Sequence, residues 1–157
     1  MTTPQQLSKH FRDVFFGGNW TAVNMKDTLE GITWQQAITK VHNLNTISLL
    51  VFHINYYIDA VLKVLQGETL KASDKYSFSM QPLASAEDWR KLINKTFTQA
   101  ELFAARIETL DETKLFEDFA DPKYGNYFRN LAGIIEHTHY HLGQISLIKK
   151  ILNEPQD

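Results

Sequence analysis

Apolar residues recur at spacings of three and four along most of the chain while polar residues fill the opposite faces, the pattern of helices that each bury one stripe. The first stripe is Leu7, Phe11, Val14 and Phe15. The preceding Thr3-Pro4-Gln5-Gln6 offers an N-cap, a proline at the first helical position and a glutamine able to close a capping box. A helix is therefore predicted to begin at Thr3 and to stop at Gly17-Gly18. Between Asn19 and Lys40 the pattern breaks around Gly31, with Trp20 and Trp34, into a short helical piece and turns. A second long helix is predicted from Asn45 to Gln66, closed by Gly67, with Ile47, Leu50, Ile54, Ile58, Val61 and Leu65 on its stripe. The segment from Glu68 to Ala84 is polar and contains Pro82, and it reads as a long crossover loop anchored by Tyr76, Phe78 and Met80.

A third helix opens at Ser85-Ala86-Glu87-Asp88, a capping signal, and carries Trp89, Leu92, Phe97 and Phe103 to an end near Leu110. After a polar connection with Asp121-Pro122 and Gly125, a fourth helix is predicted from Asn126 to Asn153, with Pro155 beyond it. The expected fold is all-α, a four-helix bundle with long crossover connections after its first and second helices. No linker or internal repeat interrupts the 157 residues. At roughly 100 to 200 residues per domain they are expected to form a single domain over residues 1–157, large enough to bury a core without disulfides.

Composition narrows the chemistry. With 16 basic and 18 acidic side chains the formal charge is −2, so no basic surface for a phosphate backbone is expected and nucleic acid is not a predicted partner. No run approaches the roughly 20 apolar residues of a membrane span. The beginning Met1-Thr2-Thr3-Pro4 lacks the features of a signal peptide, so the cytoplasm is the expected location. The absence of cysteine excludes disulfides, thiolate zinc sites, iron–sulfur clusters and a cysteine nucleophile. Any metal must be held by histidine and carboxylate.

Three of the six histidines, His137, His139 and His141, fall within five positions of the fourth helix. His137 and His141 project about 40° apart and one turn from each other, so they can share an ion, whereas His139 lies about 200° from His137 and reads as a surface or edge residue. Two histidines make half of a site, and the same spacing also occurs on plain helix faces; a usable site with an open position wants a third protein ligand. His53 is the best candidate, because it sits inside the apolar run Leu49-Leu50-Val51-Phe52-His53-Ile54, where an unpartnered imidazole is costly to bury. His10 and His42 have no assigned role. The run His-Thr-His-Tyr-His is not His-Glu-x-x-His, so no zincin-type general base follows His137, and Glu136 points elsewhere.

The surrounding residues carry a family resemblance. The stretch from Gly133 to Lys149 resembles the last helix of the DinB (DNA-damage-inducible) superfamily, His-x-x-Tyr-His-x-Gly-Gln-Ile, here His137, Tyr140, His141, Gly143, Gln144 and Ile145. The run from Ser48 to Tyr57 is similar to the family's other motif, an apolar helix with one histidine followed by aromatics. Gly18-Asn19-Trp20, Trp34 to Ala37 and Asp88-Trp89 also fall where such proteins have similar residues, and the likeness spans nearly the whole chain. It implies a helical bundle in which His53, His137 and His141 bind a divalent metal, zinc first and nickel second. It further implies a metal-dependent hydrolase, or an S-transferase using a low-molecular-weight thiol that arrives as a co-substrate.

Three neutral imidazoles leave the ion's full positive charge, which favours an anionic fourth ligand. Gln144 is expected to hydrogen-bond within the site or brace the helix contact. Tyr57 and Tyr140 are read as wall or core aromatics, and Asn55 and Asp59 as solvent-facing or at most one layer behind the ligands. A small-molecule substrate is the expected partner. Phe15, Phe16 and Phe52 suggest a homodimer face. The competing, non-catalytic reading is a metal-stabilised helical bundle that acts through dimerisation or partner binding.

Overall fold

The computed structural model describes residues 1–155, so the last two residues of the expected domain lie outside it. The chain is all-helical: α1 (Thr3–Phe16), α2 (Met25–Leu29), α3 (Trp34–Ile38), α4 (Ile47–Leu65), α5 (Asp74–Ser77), α6 (Ala86–Glu108) and α7 (Tyr127–Asn153), with 3-10 turns at Glu112–Phe116 and Pro122–Tyr124. The four long helices are the four that the apolar stripes predict. α1 packs on α6 and α7, and α4 packs on the same two, so all four enclose one core.

Local sequence sets the ends of these helices. α1 is capped one residue earlier than expected: the Thr2 side chain accepts from the Gln5 amide and Gln5 returns the bond to the Thr2 amide. Adjacent threonines both satisfy the capping pattern, and Thr3 is instead drawn to Glu112, which accepts from its amide at 3.1 Å and from its hydroxyl. Thr46, Ser85 and Asn126 cap α4, α6 and α7 through their side chains. The stretch expected to hold one helical piece holds two, α2 and α3. Lys149 of α7 donates to the carbonyls of Thr28 and Glu30 at 2.9 and 2.7 Å, closing the C-terminal end of α2 with a cation.

The core is built on aromatic and branched side chains. Phe11 meets Phe15 and Phe103, each at a centroid separation of 4.8 Å, and Ile54, Ile58, Ile107 and Ile145 are fully buried beside them. Burying each such side chain contributes about 1.5–3 kcal/mol. Phe15, expected both on the first stripe and toward a dimer face, is fully buried; Phe16 is 40 % exposed and Phe52 partly so. The stripe position of Phe15, four residues after Phe11, turns it inward. Asn55 is also inward, at 3 % exposure, where it donates to the Thr96 hydroxyl at 2.7 Å across the α4–α6 contact. Asp59 is partly exposed, pairs with Lys63 at 2.7 Å and accepts from Gln99 at 3.1 Å.

α4 is, at 19 residues, long and apolar enough to cross a membrane, which the run of apolar residues in the sequence did not suggest. In the fold 67 % of its most apolar 18-residue stretch is buried, the condition of a core helix surrounded by α6, α7 and α3.

Candidate metal centre

His53 stands near the middle of α4, a helix that is apolar on almost every side, and its ring is buried. Across the α4–α7 contact it meets His137 and His141, which lie one turn apart on α7. One ligand atom from each of the three lies within 4.8 Å of the others, so the three histidines singled out in the sequence come together as one group that could hold a metal ion. The Nε2 atoms of His53 and His137 are 3.0 Å apart. Two nitrogens bound at about 2.0–2.1 Å to one tetrahedral ion stand about 3.3–3.4 Å apart, so small rotations of the rings suffice to receive one.

The hydrogen bonds around the rings choose which nitrogen is free. His53 Nδ1 faces the Ser77 carbonyl at 3.3 Å, and His141 Nδ1 faces the Gln144 Oε1 at 2.7 Å. Both partners are acceptors, so both Nδ1 atoms carry the proton and both Nε2 atoms keep a lone pair. Gln144 therefore acts within the site, on His141. A pair of lone-pair nitrogens aimed at each other calls for a proton or a cation between them, and in the metal-free site His137 Nε2–H supplies it to His53.

Burial and mutual repulsion keep the cluster uncharged. His137 is pushed down to about 4, first by burial and then by the neighbouring His141 and His53. His53 is lowered by burial and by His141, and His141 by burial, against the opposing pull of Gln144. Neutral imidazole is the form that binds a metal, so near pH 7 the cluster need lose no net proton, and only the His137 proton must pass from Nε2 to Nδ1 to free that lone pair.

The segment expected to be a plain crossover contributes a wall of the site. α5 lies on α4: the Ser73 amide donates to the Tyr56 hydroxyl at 2.9 Å, Tyr57 donates its hydroxyl to Asp74, and the Ser77 carbonyl reaches His53. Phe78 then stacks on the His53 ring, centroids 3.9 Å apart and planes 14° from parallel. Burial and the Asp74 carboxylate push the Tyr57 phenol up. Its ring meets His53 and His137 edge-on at 5.2 and 5.1 Å, which places Tyr57 at the site wall. Tyr140 is 66 % exposed, with its ring 5.0 Å from that of His141.

The remaining histidines stand apart from this group. His10 and His42 are exposed, and His139 is half-buried on another face of α7, where burial and the nearby His10 lower it. The residues that sequence reasoning missed are Ser77, a backbone carbonyl with no sequence signature, and the pair Asp74 and Phe78. Phe78 was visible only as one of the anchors of the crossover, beside Tyr76 and Met80.

The site opens into a cleft of about 1550 Å³ between α4 and α7, closed at its edges by residues 67–74 and 119–124. Neither protein-family models, nor curated proteins, nor solved structures match this chain.

Proposed function

We propose that this chain is a metal-dependent enzyme built as a DinB-like four-helix bundle, in which His53, His137 and His141 hold a divalent ion, zinc foremost and nickel next. The observation that carries the reading is the convergence of three neutral imidazoles, two buried and His137 half-buried, on one point beside a cleft, two of them with Nδ1 fixed as donors. The donor set fits such an ion: three nitrogens, no competing carboxylate among them, and room for a fourth ligand from the cleft. When bound, the ion supplies Lewis-acid polarisation and an open position for an anionic reactant.

The chain's own residues do the rest. Ser77 and Gln144 hold the tautomer and plane of two ligands, Phe78 and Tyr57 shield the rings from water, and Asp74 fixes the Tyr57 hydroxyl. The reaction fitting this arrangement is hydrolysis, or transfer to a low-molecular-weight thiol. In the second case the sulfur arrives with the substrate, because the protein has none to offer as thiolate. The cytoplasm is the compartment this function suits.

Metal analysis of untagged protein beside His53→Ala, His137→Ala and His141→Ala tests the reading. Wild type is expected to carry about one zinc or nickel per chain and each variant to lose it. Stoichiometric metal in all three variants would sink the triad. Activated esters, and electrophiles offered with and without small thiols, then separate the two reactions. A protein that binds metal, gains thermal stability from it and turns over neither class would be the non-catalytic metal-stabilised bundle.

A further inference from the structure

The cleft has two facing ladders. From His53 outward along α4 come Tyr57, Ala60 and Val64, and from His137 outward along α7 come Gly133 and Asn130, each at steps of three or four residues. Steps of that size keep one face of a helix, so both ladders look into the same trough and the two helices run antiparallel along it. Ala60 and Val64 are apolar and buried against the core, and their smallest partner on the other wall is Gly133.

Neither usual reason for a glycine applies at position 133. It is inside α7 with helical backbone and is not among the residues of positive φ. A Cβ built there meets no heavy atom within 4 Å, so no close approach requires its absence. Glycine is, after proline, the residue least suited to a helix interior. Side chains on a helix lean toward its N-terminus, which carries the His137 imidazole over the turn that contains Gly133. What a side chain at 133 would fill is therefore the open space beside a candidate ligand.

We infer that the site takes a substrate with an apolar body, which lies in the trough between Ala60 and Gly133 while its polar, reacting end meets His53, His137 and His141. Gly133 sets the size of the group accepted next to that end. This role presupposes the metal reading above. It adds that the class of substrate carries an alkyl or aryl group directly behind its reacting atom.

Straight-chain thiols are suitable probes, because a thiolate is drawn to the metal and its tail reports the trough. Ethanethiol, butanethiol and hexanethiol are titrated into full-length protein loaded with zinc, by competition, or with cobalt(II), by the thiolate-to-metal absorption band. Wild type is expected to gain about three- to fourfold in affinity per buried methylene. Gly133→Leu is expected to keep its metal and its ethanethiol affinity but to lose most of the gain with length. Ala60→Leu, on the opposite wall, serves as the second variant, and Gly133→Ala as a milder one should leucine prevent folding. Ethanethiol binding with no dependence on length in wild type overturns the trough and leaves the metal reading standing. A Gly133→Leu protein that keeps the full length dependence overturns the role of Gly133. Failure to bind either metal or any thiol overturns both.

Discussion

The Nε2 atoms of His53 and His137 face each other at 3.0 Å although 84 residues separate them in the chain. The His53 ring is fixed from behind by the Ser77 carbonyl of α5 and the stacked Phe78, and its contact with His137 exists because α4 and α7 share one core. The consequence is a cluster that is neutral when folded and prone to protonation when unfolded.

That difference fixes a pH dependence for the metal-free protein. In the unfolded chain these imidazoles take up protons near pH 6.5. In the folded chain His137 does so only at about 4, and His53 and His141 are shifted in the same direction. Between these values the unfolded state binds more protons, so stability falls as pH falls. Urea midpoints of metal-free protein are expected to be level above about pH 7 and to drop between 6.5 and about 4. His137→Leu should drop less across that window. Equal pH profiles for the two proteins would refute this account.

The bond between His141 and Gln144 leads to a prediction about affinity. Removing the partner that orients a ligating histidine typically costs 10- to 100-fold in metal affinity. Gln144→Ala is expected to weaken zinc binding by that factor, measured by competition with a chromophoric chelator, with its thermal midpoint in the absence of metal little changed. Phe78→Ala removes the ring stacked on His53 and is expected to act the same way. Unaltered zinc affinity in both variants would make these contacts incidental to the site.

These two residues mark where the sequence could and could not be read. Periodicity located the four long helices because each buries a stripe of its own, a local property. The histidine cluster was visible for a similar reason: His137 and His141 share a helix face, and His53 is the one polar ring in an apolar run. Asn55 has the same kind of setting, yet it reads in the sequence as facing solvent or backing the ligands, because its partner Thr96 lies 41 residues away on α6 and nothing local announces it. The Ser77 carbonyl is invisible by nature, since every residue has one. α5 follows from a docking contact with α4 that a polar, proline-containing segment does not advertise.

The Asn55–Thr96 contact is itself testable. Thr96 donates to the Leu92 carbonyl and accepts from Asn55, so Thr96→Val keeps the shape and leaves the Asn55 amide without its acceptor in a buried place. Such an orphaned group costs about 1–3 kcal/mol. Replacing both partners, with Asn55→Leu added, should recover part of the loss. Chemical denaturation of the two variants reads both numbers, and a neutral Thr96→Val would mean that the amide finds another partner.

Lys149 ties the ends of two elements that are far apart in sequence. Its ammonium sits among the last carbonyls of α2, where the peptide dipoles place negative charge, and it donates to those of Thr28 and Glu30 and, at 3.5 Å, to that of Asp27. Lys149→Met retains the apolar stem and removes the charge. The expected cost is about 1–2 kcal/mol, the range for a charge-assisted bond in a partly buried setting. Because α2 packs on α1 and α7 and not on the histidine cluster, zinc affinity should stay at the wild-type value. Loss of stability together with unchanged metal binding separates the support of the fold from the support of the site. A matching loss of zinc affinity would show that α2 is coupled to α7 as far as His137, and that the site depends on the whole length of that helix.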